Sequence, residues 1–491
     1  MGNAALLPVA FEVILIAGAL LVLMVAVIAD RRRSVWAPIA GVAYLAAAAA
    51  GVLQWRAVAE SGGDLYFSTP DIVIVRSPMV VMDGFSAFAA ILLGLLGFVA
   101  LLGSWDLVVR LGKRSAEFVA LGLLAVAGLH MMAATPNLIV IFIGLETASI
   151  SFYILAGFIR GSRASDESAL KYFLLGSLAS AMFLYGIALT FAATGSLTIY
   201  GANSIRDFFS VAIITEPGIL LAGLALMLAG LFFKVSAAPF HQWAPDVYQG
   251  APSAAVGLMA AGIKVAAFAA LARIFIGGFI SQIDAWAPII AVVAAISMVV
   301  GTTMALVQTD LKRLLAYSGV AHSGYLLATF VGGVEGVPPM WFYVSTYAFM
   351  VVGAFTIVSV VNGPAAHAAP ISSFKGLAKR SPEMGWLLAI IMFGLSGMPF
   401  FAGFVGKVFA FVVAGEAGFL WLVVIGTLAT VVGLAFYLKV VATIFAPDES
   451  GEGLEASTSA RIAIAISATV TVVFGIVPWP LLEVVRDALP I

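Results

Sequence analysis

"GLFFKVSAAPFHQWAPDVYQG", residues 230–250, begins as an apolar helix and then breaks its own pattern. Lys234 follows Leu231, Phe232 and Phe233; Pro239 comes next, and His241, Trp243, Pro245 and Asp246 lie close behind. Upstream, residues 218–233 carry no charge. An ammonium group and a helix breaker therefore stand where a membrane-crossing segment places hydrocarbon. Pro239 has no N–H, so the carbonyl of Val235, four residues back, loses its helical donor. In lipid this is tolerated only where protein or water satisfies the freed group. The apolar stretch, about 218–247, is also too long for a simple crossing at 1.5 Å per residue. Both features predict two half-helices joined by an unwound stretch, with Lys234 holding a proton and the break hydrating its path.

The rest of the chain fits that reading. Of 491 residues, 63% are hydrophobic and 10% charged, with a mean hydropathy of +1.13; soluble chains carry about 25% charged residues. The expected class is an all-α polytopic membrane protein whose surface meets lipid. A net charge of −1 gives no basic surface for nucleic acid. The lack of cysteine excludes disulfides and cysteine-ligated iron–sulfur clusters. There is no Walker A sequence and no dinucleotide fingerprint, so an ion gradient or a partner is expected to supply energy. The first apolar run lacks a basic leader and an A-x-A site, so residues 9–29 read as a retained span rather than a cleaved signal.

Fourteen spans can be drawn, at about 9–29, 36–55, 78–104, 116–133, 138–159, 169–194, 218–247, 252–276, 286–308, 312–333, 340–362, 384–412, 418–445 and 461–482. If each crosses, fourteen basic residues share one side: Arg31, Arg32, Arg33, Arg110, Lys113, Arg114, Arg160, Arg163, Lys312, Arg313, Lys375, Lys379, Arg380 and Arg461. Five fall on the other: Arg56, Arg76, Arg206, Arg273 and Arg486. The bias predicts both termini outside. Gaps between spans are too short for a separate domain; the last, with Asp448, Glu449, Glu452 and Glu455, reads as a solvated acidic loop.

Four charges lie mid-span: Glu146, Lys234, Lys264 and Lys407, with His322 a fifth titratable group. Each charge costs at least about 2.5–3.5 kcal/mol at the bilayer centre, so such residues face the bundle interior, pair, or line water. Glu146 and Lys234 could form a static pair. Three lysines cannot all be neutralised by one glutamate, and an ammonium buried without a counter-charge holds its proton less tightly. The set has the composition of a proton relay. His241, beyond the proline, is a candidate for the water path. Lys439 can snorkel, Asp83 reads as structural, His130 and His367 as without a chemical role, and Glu167 with Lys171 as an i, i+4 surface pair. Span 12 repeats the interruption at Gly397-Met398-Pro399, with Lys407 beyond. Paired interrupted spans point to an inverted-repeat transporter. The expected organisation is helices 1–3 over residues 1–115, a first five-helix repeat over 116–276, a second, inverted repeat over 286–445, and a last helix over 446–491.

"KVSAAPFHQWAPDVYQGAPSA", "LETASISFYILAG", "ALKYFLLGSLASAMFLYG", "DLKRLLAYSGVAHSGYLL" and "GMPFFAGFVGK" resemble the motifs of the proton-conducting membrane subunits shared by respiratory complex I and Mrp-type antiporters. The likeness covers most of residues 78–440. The chain ends soon after span 14, leaving no room for the long lateral helix of subunit L, and carries Lys407 where subunit M typically has a glutamate. The resemblance implies discontinuous helices 7 and 12, broken at Pro239 and Pro399. It implies a relay of Glu146, Lys234, Lys264 and Lys407, with His322 as bridge. By the same resemblance the chain is a non-redox subunit of a translocase in a bacterial cell membrane. It binds no cofactor itself, flavin, iron–sulfur centres and quinone residing in partner subunits. Its neighbours in complex I would be the antiporter-like subunit M and the small subunit K. The alternative is a subunit of an Mrp-type Na⁺/H⁺ antiporter or a membrane-bound hydrogenase.

Overall fold

The computed structural model describes residues 6–28, 36–61, 65–67, 78–201, 203–211, 217–447 and 453–489. Arg31, Arg32, Arg33 and Arg76, and the acidic Asp448, Glu449 and Glu452, lie outside the described residues. The chain opens with α1 (Ala10–Ile28) and α2 (Trp36–Ser61), then β1 (Leu65–Phe67) pairing antiparallel with β2 (Val80–Met82), Leu65 opposite Met82. Next come α3 (Gly84–Gly103), α4 (Trp105–Leu111), α5 (Ser115–Ala133), α6 (Leu138–Ala156), α7 (Arg163–Thr194), α8 (Ile205–Val211), α9 (Pro217–Val235), α10 (Trp243–Gly250) and α11 (Ser253–Leu271). The second half holds α12 (Ile283–Leu306), α13 (Leu311–Phe330), α14 (Val337–Asn362), α15 (Leu377–Arg380), α16 (Pro382–Ser396), α17 (Ala402–Glu416), α18 (Leu420–Phe445), α19 (Thr458–Ile476) and α20 (Trp479–Arg486). Apart from the short hairpin, the described fold is the expected all-α membrane bundle. Among the described residues, twelve helical stretches are long and apolar enough to cross a bilayer.

Helix ends follow local chemistry. Asp83, Asn137, Ser162, Asp310 and Ser457 cap α3, α6, α7, α13 and α19 by accepting from free backbone N–H groups. The last span departs from expectation. A single helix over 461–482 is replaced by α19, ending at Ile476, and the separate α20. Pro478 and Pro480 cause this, since neither can donate into a continuing helix.

Residues of α11 are buried on every face, and α13 and α14 are nearly so. A helix apolar all round belongs in a core, and these three form it. Hydrophobic burial does not drive helices together in lipid, so close packing must. Glycine supplies it at two crossings. A methyl on Gly128 of α5 would lie 2.6 Å from the Gly144 carbonyl oxygen of α6, and one on Gly324 of α13 would lie 2.6 Å from the Ala294 oxygen of α12.

Two buried polar links fasten the end of the bundle where α1 and α3 begin. Beyond Leu271, α11 widens into a π-helical turn, Ala272–Gly278. There the fully buried Arg273 donates Nη1 and Nη2 to Asp83 Oδ2 and Oδ1, at 2.5 and 2.7 Å, and Nε to the Ala133 oxygen at 2.8 Å. Nη1 also bonds the Tyr200 hydroxyl, and the guanidinium lies 4.6 Å from the Phe85 ring centre. His130 is the second link. Its Nε2 donates to the Ser86 oxygen at 3.1 Å, and its Nδ1 lies 2.7 Å from Glu12 Oε1. Asp83 is structural, as expected, but Arg273 is a core residue rather than a loop cation. Lys312 is corrected in the same way. It is fully buried and donates to the oxygens of Ala251 at 2.7 Å and Ala366 at 3.2 Å, because the first turn of α13 is covered by the chain after α10. His130 is likewise a buried, partnered group.

Candidate functional site

Lys234, Lys264, His322 and Lys407 are each no more than 5% exposed. They stand near the two helix interruptions. The first separates α9 from α10; Ser236 within it takes a left-handed backbone, φ 59°. The Val235 carbonyl that Pro239 deprives of its donor accepts from Lys264 Nζ at 2.7 Å and from the Ser323 hydroxyl. Trp243 Nε1 donates to the Phe233 oxygen at 2.9 Å, and the Ala238 N–H donates to Ser297 Oγ at 2.9 Å. Protein groups thus satisfy the backbone that the break releases, as a buried break requires.

The second interruption separates α16 from α17. Gly397 and Phe400 are left-handed, φ 80° and 74°, and Pro399 frees the Leu395 carbonyl by the same rule. Lys407 Nζ donates to the Ser396 oxygen at 2.9 Å and approaches the Leu395 oxygen at 3.5 Å. Each proline therefore frees a carbonyl beside a buried lysine. At the first break that lysine comes from another helix. Lys234, expected to be the residue of the break, is in the last turn of α9, where side chains point back toward the N-terminus. It turns to α6, donating to Ser149 Oγ at 2.8 Å and lying 3.4 Å from the Tyr153 hydroxyl.

Glu146 is half-buried one turn before Ser149, and its Oε1 is buried without a hydrogen-bond partner. Among the described residues no ion pair joins it to Lys234. Lys264 and Lys407 likewise have no carboxylate at ion-pair distance among the described residues. Lys264 is held by the Val235 and Gly319 oxygens, at 2.7 and 2.8 Å, and by the Ser323 hydroxyl. Aromatic rings complete the row. Lys264 Nζ is 5.7 Å from the Tyr347 ring centre, and Tyr347 lies 4.8 Å from the His322 ring. On the other side Tyr325 lies 6.0 Å from His322, and Lys407 Nζ sits 4.7 Å over Tyr325. The His322 nitrogens meet the hydroxyls of Tyr343 at 2.8 Å and Tyr437 at 3.2 Å. His322 thus lies between Lys264 and Lys407, joined to each through one tyrosine.

His241 is half-buried in the first break, with Nδ1 buried and unpartnered. The Glu167–Lys171 pair is present at 2.7 Å, and it is larger than expected: Lys171 also meets Asp246 at 2.8 Å, and Asp246 meets Arg313 at 2.7 Å. Glu167, Lys171, Asp246 and His367 line a pocket of about 280 Å³ there. Lys439 is exposed, as a snorkelling lysine should be. Among the described residues no cluster of three or more His, Asp or Glu could hold a metal. Sequence reasoning missed Glu12, Arg273, Ser149, Ser323 and the tyrosines; of these, Glu12 and Arg273, charges within apolar runs, carried a signal that could have exposed them.

The family described as NADH:quinone oxidoreductase/Mrp antiporter, TM matches residues 135–433, which include Glu146, Lys234, Lys264, His322 and Lys407. NADH-quinone oxidoreductase subunit N 1 of Solibacter usitatus is 37% identical over 409 residues, 82% of this chain and 83% of that protein. Subunit N of Mycobacterium bovis is 41% identical over 388 residues, 77% of this chain and 72% of that one. A chain of respiratory complex I from Thermus thermophilus, solved with bound aureothin, superposes with a TM-score of 0.79 at 31% identity, over 96% of this chain and 98% of that chain. By fold, sequence and extent of match, the chain belongs to the NADH:quinone oxidoreductase/Mrp antiporter transmembrane family.

Proposed function

We propose that this chain is subunit N of a bacterial NADH:quinone oxidoreductase. It translocates protons in the membrane arm while flavin, iron–sulfur and quinone chemistry proceeds in partner subunits. The relatives named subunit N weigh for this reading over the antiporter alternative. The relay runs Glu146, Lys234, Lys264, His322, Lys407, with His241 on the water path and Lys407 as the outer-half site. Both termini face outward, and subunits M and K are the membrane-arm neighbours. Residues 1–115 form the leading three helices and 446–491 the closing segment. Residues 116–276 and 286–445 are inverted five-helix repeats. Matched packing supports the repeats: α5 lies on α6 and α11 as α12 lies on α13 and α18, and α7 meets both α9 and α10 as α14 meets both α16 and α17.

One observation carries the mechanism: the buried lysines are held by neutral acceptors. A carboxylate partner would leave an unpaired buried anion whenever its lysine lost a proton, a costly state. Carbonyls and hydroxyls leave none. Such an ammonium can give up its proton and regain it, and a charge placed on Glu146 or on a neighbouring lysine shifts that balance. Protons can then move along the row in response to charge arriving from one end.

Glu146→Gln tests the reading. The change is isosteric, and among the described residues Glu146 has no ion pair to lose, so the complex should assemble. Proton uptake per quinone reduced, in reconstituted vesicles, should fall roughly tenfold or more, the change that about 1.4 kcal/mol on a proton-transfer barrier makes. Wild-type pumping by the assembled variant would sink the relay.

A further inference from the structure

We propose that Ser323 and Ser149 are positioning residues whose hydroxyls let Lys264 and Lys234 be held in both of their protonation states. This rests on the reading of those lysines as proton carriers and adds to it what keeps each in place once its proton has left.

An ammonium has three N–H donors and no lone pair. Lys264 Nζ has three acceptors around it: the Val235 oxygen at 2.7 Å, the Gly319 oxygen at 2.8 Å, and the Ser323 hydroxyl. That shell suits the charged form completely. The neutral amine has two N–H groups and one lone pair. Carbonyl oxygens only accept, so a shell of three carbonyls would face that lone pair with a lone pair of its own. A hydroxyl both accepts and donates. Ser323 Oγ accepts from the ammonium while its own hydrogen serves the Val235 oxygen or, at 3.0 Å, the Gly319 oxygen. When Lys264 loses its proton, one rotation about the Ser323 C–O bond aims that hydrogen at Nζ. The two remaining N–H groups stay on the two carbonyls. No group in the shell is then orphaned in either state, which matters in a site that is 2% exposed.

A serine also meets the neighbouring lysine, there with a second and more distant hydroxyl, that of Tyr153 at 3.4 Å, in place of the carbonyls. Lys234 Nζ donates to Ser149 Oγ at 2.8 Å, and Ser149 in turn donates to the Leu145 oxygen at 2.6 Å. In both cases a carbonyl four residues back along the serine's own helix can take its hydrogen, and the serine meets the lysine with a lone pair. Lys407 differs, with the backbone oxygens of Ser396 and Leu395 as its hydrogen-bond acceptors. A buried serine making the same back-bond but touching no lysine supplies the control: Ser467 Oγ donates to the Ala463 oxygen at 3.0 Å in α19.

The experiment uses the whole complex in vesicles, with Ser323→Ala, Ser149→Ala, Ser323→Thr, Ser467→Ala and Lys264→Met. Proton uptake per quinone reduced is followed across pH. Ser323→Ala and Ser149→Ala should each slow pumping roughly ten- to a hundredfold, the range expected for losing a hydrogen bond to a charged group. Each should also displace the pH profile by about one unit or more. Ser323→Thr, which restores the hydroxyl, should recover rate and profile, and Ser467→Ala should match wild type. Wild-type rate and profile in both alanine variants, with Lys264→Met inactive, overturns the serine proposal and leaves the relay standing. Slow pumping with an unmoved profile and no recovery by threonine overturns it too, because that is the mark of a packing defect. Normal pumping by Lys264→Met overturns the relay reading itself.

Discussion

Arg273→Ala is expected to leave little assembled subunit in the membrane. The guanidinium holds the end of α11 to the start of α3 through Asp83, to the end of α5 through the Ala133 oxygen, and to Tyr200. Truncation leaves the Asp83 carboxylate in a site it shares with no other cation at ion-pair distance among the described residues. Removing one member of a buried ion pair costs about 3–5 kcal/mol, chiefly through the charge left behind, against a typical total stability of about 5–15 kcal/mol. The yield of purified complex and its thermal stability in detergent measure the effect. Removing both charges at once, in Asp83→Leu with Arg273→Met, should recover much of the loss, since no buried charge remains. An Arg273→Ala subunit that accumulates and melts like wild type would show that this pair holds nothing together.

Arg273 also marks the limit of what the sequence discloses. Lys234, Lys264, Lys407 and His322 stood out because each interrupts an apolar run, and hydrocarbon makes a charge conspicuous. Pro239 and Pro399 stood out because a missing N–H has a definite consequence four residues upstream. The same rule named Val235 as an orphan carbonyl, but not the group that would take it. Lys264 fills that role from a helix whose contact with the break depends on how the bundle closes. The Asp83–Arg273 and Glu12–His130 links join residues separated by 190 and 118 positions, and no periodicity reports such pairings. Lys312 misled for a related reason. It sits beside Asp310 and Arg313 at a helix start, where cations face water, and its burial comes from chain packed over it. Helical spacing gives the face of a residue, not what covers that face. The tyrosines about His322 are hidden in the same way, because a ring in an apolar span looks like packing until its hydroxyl is located.

Lys407→Met and Lys407→Arg, taken together, should both abolish coupled pumping while leaving the complex assembled. Methionine keeps an unbranched chain of similar length and fills the same space, so α17 should still pack against α14. What it loses is the ammonium on the Ser396 and Leu395 oxygens and the charge above Tyr325. Arginine keeps a positive charge and donors for those carbonyls, but its guanidinium does not readily deprotonate. The two variants therefore separate two roles. A lysine that only supplies fixed charge, neutralising the carbonyl end of α16, is replaced by arginine and not by methionine. A lysine that must release its proton toward the outer side, and regain it through His322, is replaced by neither. Proton uptake should fall about a hundredfold or more in both, the scale on which a missing proton-transfer group acts, and quinone reduction coupled to it should slow in step. The two carbonyls make this outcome the expected one: they still accept the two N–H groups that a neutral amine keeps, and no buried anion is left when the proton goes, whereas a site built for permanent charge would bring a carboxylate. Normal pumping by the arginine variant with loss in the methionine variant would assign Lys407 a fixed-charge role and end the relay at His322.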